Sequence, residues 1–262
     1  GSRKKSSQKN GICSCGKMRG NRKKSSMHTN SEKLCRWEDI IFIMRKIVII
    51  SILLFPIVFF SCTEKKLNIL ILGNFITHHV PDESIGWIGN LGMTASAADK
   101  DFESLFTEEI KKEYSKYDIK VTAKNIAVWE GDFKYDLNQF PDILNQKYDI
   151  LIIRLGENVN IKATDFTNYE KELNQLINRF KSEKTKVIIT GTVWSSPEKD
   201  LIQEKVAKEN NYFYIPLLDF QADPKNYATG KFANDQVAAH PSDYGMQNIA
   251  KLLVKKVEDV LQ

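Results

Sequence analysis

Short apolar runs and amphipathic stretches alternate along the last 200 residues of this 262-residue chain. The mostly apolar runs are 67–73 (LNILILG), 119–126, 149–155 (DILIIRL), 186–190 (KVIIT) and 212–216. Runs of this length are typical of strands that are buried on both faces of a parallel sheet. The pattern therefore predicts five parallel strands.

Helical periodicity fills most of the intervals between these runs. Residues 98–117 are charged and amphipathic, and 166–180 carry apolar side chains at steps of three or four. Two more helices are predicted over 198–210 and from Ser242 onward. Strands that alternate with helices in this way predict an α/β fold, a three-layer α/β/α sandwich with right-handed crossovers.

A separate hydrophobic segment precedes this domain. Met44-Arg45-Lys46 is followed by fourteen apolar and small residues at 47–60 and then by Ser61-Cys62. The segment is short for a transmembrane helix, which needs about 20 residues, and Pro56 interrupts it. The pattern predicts a signal peptide over 44–62, with an uncleaved anchor or a buried helix as alternatives.

The end of that segment, FFSC, resembles a bacterial lipoprotein cleavage box, in which the cysteine becomes the lipidated first residue. The resemblance implies export and a lipid anchor on Cys62, on the periplasmic or cell-surface side of a bacterial membrane. Residues 1–43 are then a disordered or non-native upstream segment, and 63–262 are the functional domain.

Charge and cysteine content exclude several classes of protein. Residues 1–43 hold 11 Lys and Arg against 3 Asp and Glu, whereas 63–262 hold 25 against 30, so the basic character belongs to the N-terminus. This argues against a nucleic-acid partner for the domain. No cysteine follows Cys62, so the domain has neither a disulfide nor a cysteine nucleophile. We expect no metal and no cofactor, because Cys13, Cys15, Cys35 and His28 fit no common zinc spacing.

Candidate chemistry lies where the predicted strands end, since ligands of open parallel sheets collect at the carboxyl ends of the strands. Four segments qualify there: 73–77 (GNFIT), 125–127 (NIA), 156–158 (GEN) and 239–241 (AHP).

In that order these segments resemble the conserved blocks of the SGNH/GDSL hydrolase superfamily, and GNFITHH is similar to a GNSIT-type first block. The resemblance spans most of the domain and implies a flavodoxin-like sheet and ester hydrolysis, including removal of acetyl groups from glycans. By the same resemblance, His240 matches the general base and Asn158 the oxyanion amide. It places Asn74, Ala127 and Gly156 at oxyanion or substrate-binding positions, with Ala127 contributing only its backbone N–H.

Two departures from the pattern concern catalysis directly. Phe75 occupies the nucleophile position, and a phenyl ring has neither a lone pair to attack a carbonyl nor a proton to give to a base. Val237 occupies the position of the aspartate that would orient His240, so a backbone carbonyl or Asp235 must orient it instead. Other hydroxyls, on Thr77, Ser84 and Ser96, are weak candidates for a substitute nucleophile.

Other polar and aromatic groups have competing interpretations. His78 and His79 with Asp82 are a weak candidate for a metal site, and Glu130 with Glu157 a weak candidate for a glycosidase carboxylate pair. Trp87 and Trp129 either stack on a sugar ring or anchor loops.

The sequence therefore predicts an exported lipoprotein with an SGNH-type hydrolase fold. By resemblance it is an esterase or deacylase that acts on acylated carbohydrate, with activity impaired or lost because of Phe75. One alternative is a non-catalytic glycan-binding lipoprotein that uses the retained pocket, and another is a structural or scaffold lipoprotein with no small ligand. Whether the chain is an enzyme, and its oligomeric state, stay open.

Overall fold

A five-stranded sheet forms the centre of the fold. Its strands are β1 (Lys65–Gly73), β2 (Tyr117–Asn125), β3 (Ile150–Arg154), β4 (Lys186–Thr190) and β5 (Phe213–Ile215). They lie in the order β2-β1-β3-β4-β5, and every neighbouring pair is parallel. This strand order confirms the predicted flavodoxin-like sheet.

The computed structural model describes Phe42, Met44 and residues 65–160 and 166–262. The predicted signal peptide, Cys62 and the upstream segment lie outside these residues, except for Phe42 and Met44. Residues Thr63–Gln262 form one of two compact units, and all that follows concerns this unit.

Helices follow each strand in the described part of the chain. They are α1 (Phe102–Glu113), α2 (Ala127–Gly131), α3 (Pro141–Leu144), α4 (Phe166–Phe180), α5 (Pro197–Glu209), α6 (Leu218–Ala222), α7 (Asp235–Ala238) and α8 (Asp243–Leu261). Single 3₁₀ turns cover Glu83–Ile85, Ala98–Lys100, Leu137–Gln139 and Pro224–Asn226. None of the described helices is long and apolar enough to cross a membrane.

Alternate residues of the central strands enter two separate cores, because successive side chains of a strand point to opposite faces. Ile69 and Ile71 of β1 pack with apolar residues of α1 and α8 on one face. Leu70 and Leu72 pack with those of α4 and α5 on the other. The three-layer α/β/α sandwich predicted from the sequence is confirmed.

The predicted boundaries shift most at the first helix. The sequence predicts a helix over 98–117, but α1 begins after Asp101. The side chain of Asp101 accepts a hydrogen bond from the N–H of Ser104 and caps the helix. Tyr117 already belongs to β2. The amphipathic pattern continued into the strand because β2 lies at the edge of the sheet and is only partly buried.

Candidate active site

A cavity of about 480 Å³ opens at the carboxyl ends of β1 and β3, where the strand order reverses direction. This is the place where open α/β sheets bind ligands. The cavity is lined by Phe75, His79, Ile85, Met93, Asn158, Trp194, Asn234, Gln236, Val237, Ala239 and His240. Three positions predicted from the sequence, Phe75, Asn158 and His240, therefore lie on one cavity.

His240 is held in a fixed orientation by its surroundings. Its Nδ1 donates to the carbonyl oxygen of Gln236 at 2.9 Å, and its ring contacts the ring of Trp194 edge-on at 5.0 Å between centroids. Trp194 is itself anchored, because its Nε1 donates to the carbonyl oxygen of Ala239. Of the two groups proposed to orient His240, the structure shows a backbone carbonyl. Burial lowers the pKa of His240 below its usual value of 6.5, which favours the neutral imidazole.

Phe75 forms an apolar wall of the cavity. Its ring contacts the ring of His79 edge-on, with centroids 4.8 Å apart, and it packs with Trp87, Met93 and Val237 in a small apolar cluster. An ester carbonyl in this cavity would have an imidazole and an amide beside it but no attacking oxygen at position 75. Seryl acyl transfer is therefore not available at this position.

The loop at 80–96 ties the Phe75 turn to the His240 turn. The N–H of Met93 donates to the carbonyl oxygen of Phe75 at 3.0 Å. Thr94 donates through Oγ1 to the carbonyl oxygen of Pro241 at 2.6 Å, and Ser96 donates through its N–H and Oγ to Asp243. Thr94 adopts a left-handed φ of 74°, which is strained for a β-branched residue and is maintained by this tertiary contact.

Four further residues that the sequence predicts for the site do not line the cavity. The polar groups of three of them donate hydrogen bonds to other protein groups, and the fourth, Trp87, is buried. Asn74 Nδ2 donates to Glu157 at 2.7 Å, and the N–H of Ala127 donates to Asn125 Oδ1 at 2.8 Å. The N–H of Gly156 donates to Glu130 at 2.5 Å. These N–H groups have protein acceptors in the structure, and the oxyanion or substrate-binding role given to Asn74, Ala127 and Gly156 stays a prediction.

Trp87, the fourth residue, anchors a loop. It is buried against Phe232, and its Nε1 donates to the carbonyl oxygen of His79 at 3.3 Å. Of the two interpretations given to Trp87, these contacts favour the loop anchor over stacking on a sugar ring. Trp129 is likewise buried, against Phe133.

The hydroxyls considered as substitute nucleophiles also lie outside the cavity lining. Thr77 is buried beside Gly73, where a Cβ would lie only 1.9 Å from the threonine Oγ1. Ser84 and Ser96 donate to Asp82 and Asp243, each at 2.6 Å. Among the described residues, no group of three or more His, Cys, Asp and Glu side chains is arranged to hold a metal ion.

A buried carboxylate cluster shares Asn158 with the cavity lining, and only its Glu130–Glu157 pair was considered from the sequence. It comprises Asn74, Glu130, Arg154, Glu157 and Asn158. Glu157 accepts from Asn74 Nδ2, from the N–H of Val193 and from the guanidinium of Arg154, whose side chain is fully buried. Arg154 Nε and Nη2 have no hydrogen-bond partner among the described residues.

Glu130 joins this cluster from α2. Burial and the charge of Glu157 raise its pKa to about 7. Because both carboxylates accept hydrogen bonds from protein groups, the geometry supports a structural role for the pair rather than a glycosidase role. A signal existed in the sequence, since Arg154 interrupts the apolar run DILIIRL.

Comparison with solved structures gives proteins of similar architecture. The esterase EstA from a Pseudoalteromonas species matches with a TM-score of 0.52 and 14% identity, over 74% of this chain and 98% of EstA. A two-domain esterase, CEX, active on acetylated mannans, matches with a TM-score of 0.52 and 16% identity, over 76% of this chain and 50% of its own. The salicylyl-acyltransferase SsfX3 matches with a TM-score of 0.50 and 13% identity, over 76% of this chain and 56% of its own.

No protein-family model and no curated protein sequence matches the chain. The structural matches agree with an α/β fold built on a parallel five-stranded sheet. The chain shares the α/β/α fold of these solved structures, which agrees with the fold that the resemblance to the SGNH/GDSL hydrolase superfamily implies.

Proposed function

We propose that this protein binds an acylated carbohydrate in the cavity between Phe75, Asn158 and His240, and that its ester hydrolysis is impaired because Phe75 replaces the attacking serine. The observation that carries the proposal is the convergence of these three positions on one cavity. A fold shared with an esterase active on acetylated mannans supports the ester and glycan part. Fold alone does not fix a function, so the site geometry carries more weight.

The cavity keeps two of the groups that an ester site uses, the imidazole of His240 and the amide of Asn158. His240 Nε2 is the nitrogen left with a lone pair, because Nδ1 donates to Gln236. Asn158 lines the same cavity, and its amide nitrogen carries two hydrogens: one is donated to Glu130 Oε2, and the other can be donated to a developing oxyanion. Loss of one such donor typically costs about 3 kcal/mol of transition-state stabilisation, so the retained pair is a substantial part of an acyl-transfer site.

The test is ester hydrolysis by the full chain and by Phe75→Ser, with p-nitrophenyl acetate and an acetylated mannooligosaccharide as substrates. We expect hydrolysis in Phe75→Ser and none above background in the wild type. Phe75→Ala is the matched control, since it opens the same space without supplying a hydroxyl. Hydrolysis by the wild type that His240→Ala abolishes would contradict the proposed impairment.

The second candidate is a non-catalytic glycan-binding protein. The mostly apolar cavity with a small number of polar groups supports it, because pockets of this kind bind small ligands, and Phe75 supplies no nucleophile for turnover. It predicts that the wild type binds acetylated mannooligosaccharides, measured by calorimetry, and that Phe75→Ser acquires no hydrolysis.

The proposal includes export and attachment to a membrane through a lipid on Cys62. The basis is the sequence pattern at 44–62. A radiolabelled fatty acid should be incorporated into the wild-type chain and not into Cys62→Ala. Equal labelling of both chains would remove the lipid anchor from the proposal.

A further inference from the structure

The carboxylate of Glu130 fastens the loop that brings Asn158 to the cavity. Its Oε1 accepts the backbone N–H groups of Gly156 and Asn158 at 2.5 Å and 3.3 Å. Its Oε2 accepts the side-chain amide of Asn158, through Nδ2, at 2.7 Å. One buried carboxylate therefore holds both the backbone and the side chain of this loop.

The two oxygens of Glu130 are not equivalent. Oε1 faces three N–H donors, since Asn74 Nδ2 also lies 3.5 Å from it. Among the residues that the structure describes, Oε2 has one donor, Asn158 Nδ2. A proton taken up by Glu130 therefore belongs on Oε2. The new O–H of Glu130 and the N–H₂ of Asn158 would then both be donors, so they could not form a hydrogen bond. A rotation of the Asn158 amide by about 180° would place Oδ1 toward Glu130, where it can accept from the new O–H.

Charged and titratable groups from three other elements face this carboxylate. Glu157, from the loop after β3, repels the ionised form, while Arg154 of β3 neutralises Glu157 through an ion pair. Tyr169 of α4 stays protonated, because burial and the two carboxylates raise its pKa well above 10.0. Lys199 of α5 donates to the carbonyl oxygen of Glu157 at 2.8 Å and attracts both carboxylates. None of these groups supplies a hydrogen bond to Oε2.

We propose that Glu130 is a positioning residue for the cavity: its ionised carboxylate holds the Asn158 amide with nitrogen toward Glu130, and its protonation turns that amide over. The two states present different amide atoms to a ligand, so the cavity has a polarity that depends on pH. The inference rests on the proposed function only where it concerns the recognition of an ester. The rotation itself needs no ligand.

The pKa of Glu130, raised to about 7, places this change near neutral pH. The test follows the Asn158 side-chain ¹⁵N resonance and the Glu130 ¹³C carboxyl resonance in the full wild-type chain, from about pH 5 to about pH 9. The signals are assigned by their loss in Asn158→Ser and Glu130→Gln. We expect both to titrate with one shared midpoint near 7.

Two variants separate positioning from a merely structural role. Glu157→Gln removes the repelling charge and should lower the shared midpoint, whereas Asp132→Asn, at the exposed end of the same helix, should leave it unchanged. In Glu130→Gln the Asn158 signal should no longer titrate. An Asn158 signal that is constant while Glu130 titrates, or that still titrates in Glu130→Gln, would overturn the proposal.

If Glu130→Gln does not fold, Asn158→Ser still assigns the amide signal. The test is then whether the midpoint of that signal is lower in Glu157→Gln than in the wild type. An unchanged Asn158 midpoint in Glu157→Gln would count against the proposal. Because no ester is present, the result is independent of whether Phe75→Ser hydrolyses one. Failure of the proposed function and failure of this inference are thus distinguishable.

Discussion

Nδ1 of His240 lies 2.9 Å from the carbonyl oxygen of Gln236. A carbonyl oxygen can only accept, so Nδ1 carries the hydrogen and Nε2 of the neutral ring has the lone pair. The Gln236 carbonyl thus fixes the tautomer of His240. In the SGNH pattern an aspartate would do this, but Val237 occupies its position here. A carbonyl has no full negative charge, so it stabilises the imidazolium less than an aspartate would.

The first prediction concerns this imidazole. Burial lowers the pKa of His240, so its ring should titrate below 6.5 in the folded protein and be neutral at pH 7. The measurement is the NMR titration of the ring protons, assigned by their loss in His240→Gln. A midpoint above 6.5 would show that a negative charge, rather than the Gln236 carbonyl, dominates the surroundings of His240.

The second prediction concerns stability and pH. Because folding raises the pKa of Glu130 from 4.5 to about 7, the folded state binds the extra proton more tightly. The stability that this proton contributes to the folded state is fully present below pH 4.5 and is lost as pH rises through about 7. Between pH 4.5 and about 7, the free energy of unfolding of the wild type should therefore decrease by about 3 kcal/mol more than that of Glu130→Gln. Urea denaturation of both chains across the window measures the difference, and parallel curves would contradict it.

The third prediction concerns the ion pair between Arg154 and Glu157, both of whose side chains are fully buried. Arg154→Met leaves an unpaired buried charge, so we expect a loss of about 3 to 5 kcal/mol in the free energy of unfolding. Lys124→Met is the matched control, because the Lys124–Asp142 pair is partly exposed and should contribute less than about 1 kcal/mol. Losses of similar size in both variants would argue against a special role for the buried pair.

The fourth prediction concerns the packing of α8 near His240. A Cβ at Gly245 would lie 2.1 Å from the carbonyl oxygen of Asn226, a backbone atom that cannot move aside easily. Gly245→Ala should therefore destabilise the protein by about 1 to 3 kcal/mol, as overpacking usually does. Gly131→Ala should have little effect, since the space around Gly131 is open. Thermal unfolding of the two variants gives the comparison.

The sheet and the meeting of three site positions could be predicted because both depend on local pattern and parallel topology. The run at 67–73 is apolar on both faces, and the carboxyl ends of parallel strands share one edge, so Phe75 and Asn158 had to lie close together. His240 followed from the resemblance of the segment at 239–241 (AHP) to a known block.

The hydrogen-bond partners within the site could not be predicted in this way. Asn74 and Glu157 are 83 residues apart, and Glu130 and Asn158 are 28 apart, so their pairing depends on how loops pack in three dimensions. Ala127 was expected to offer its N–H to a ligand, but Asn125, two residues earlier, already accepts it. Competition between protein and ligand acceptors of this kind is decided by tertiary structure.

The central claim is that an acyl-transfer site is retained around position 75, with His240 and Asn158 in place and the attacking serine replaced by Phe75. The most direct measurement is covalent labelling by a fluorophosphonate, which reacts with an activated hydroxyl, followed by mass spectrometry of the peptide that contains position 75. We predict labelling in Phe75→Ser and none in the wild type, in Phe75→Ala or in Phe75→Ser combined with His240→Ala. An unlabelled Phe75→Ser chain that is folded, or labelling that persists without His240, would contradict the claim.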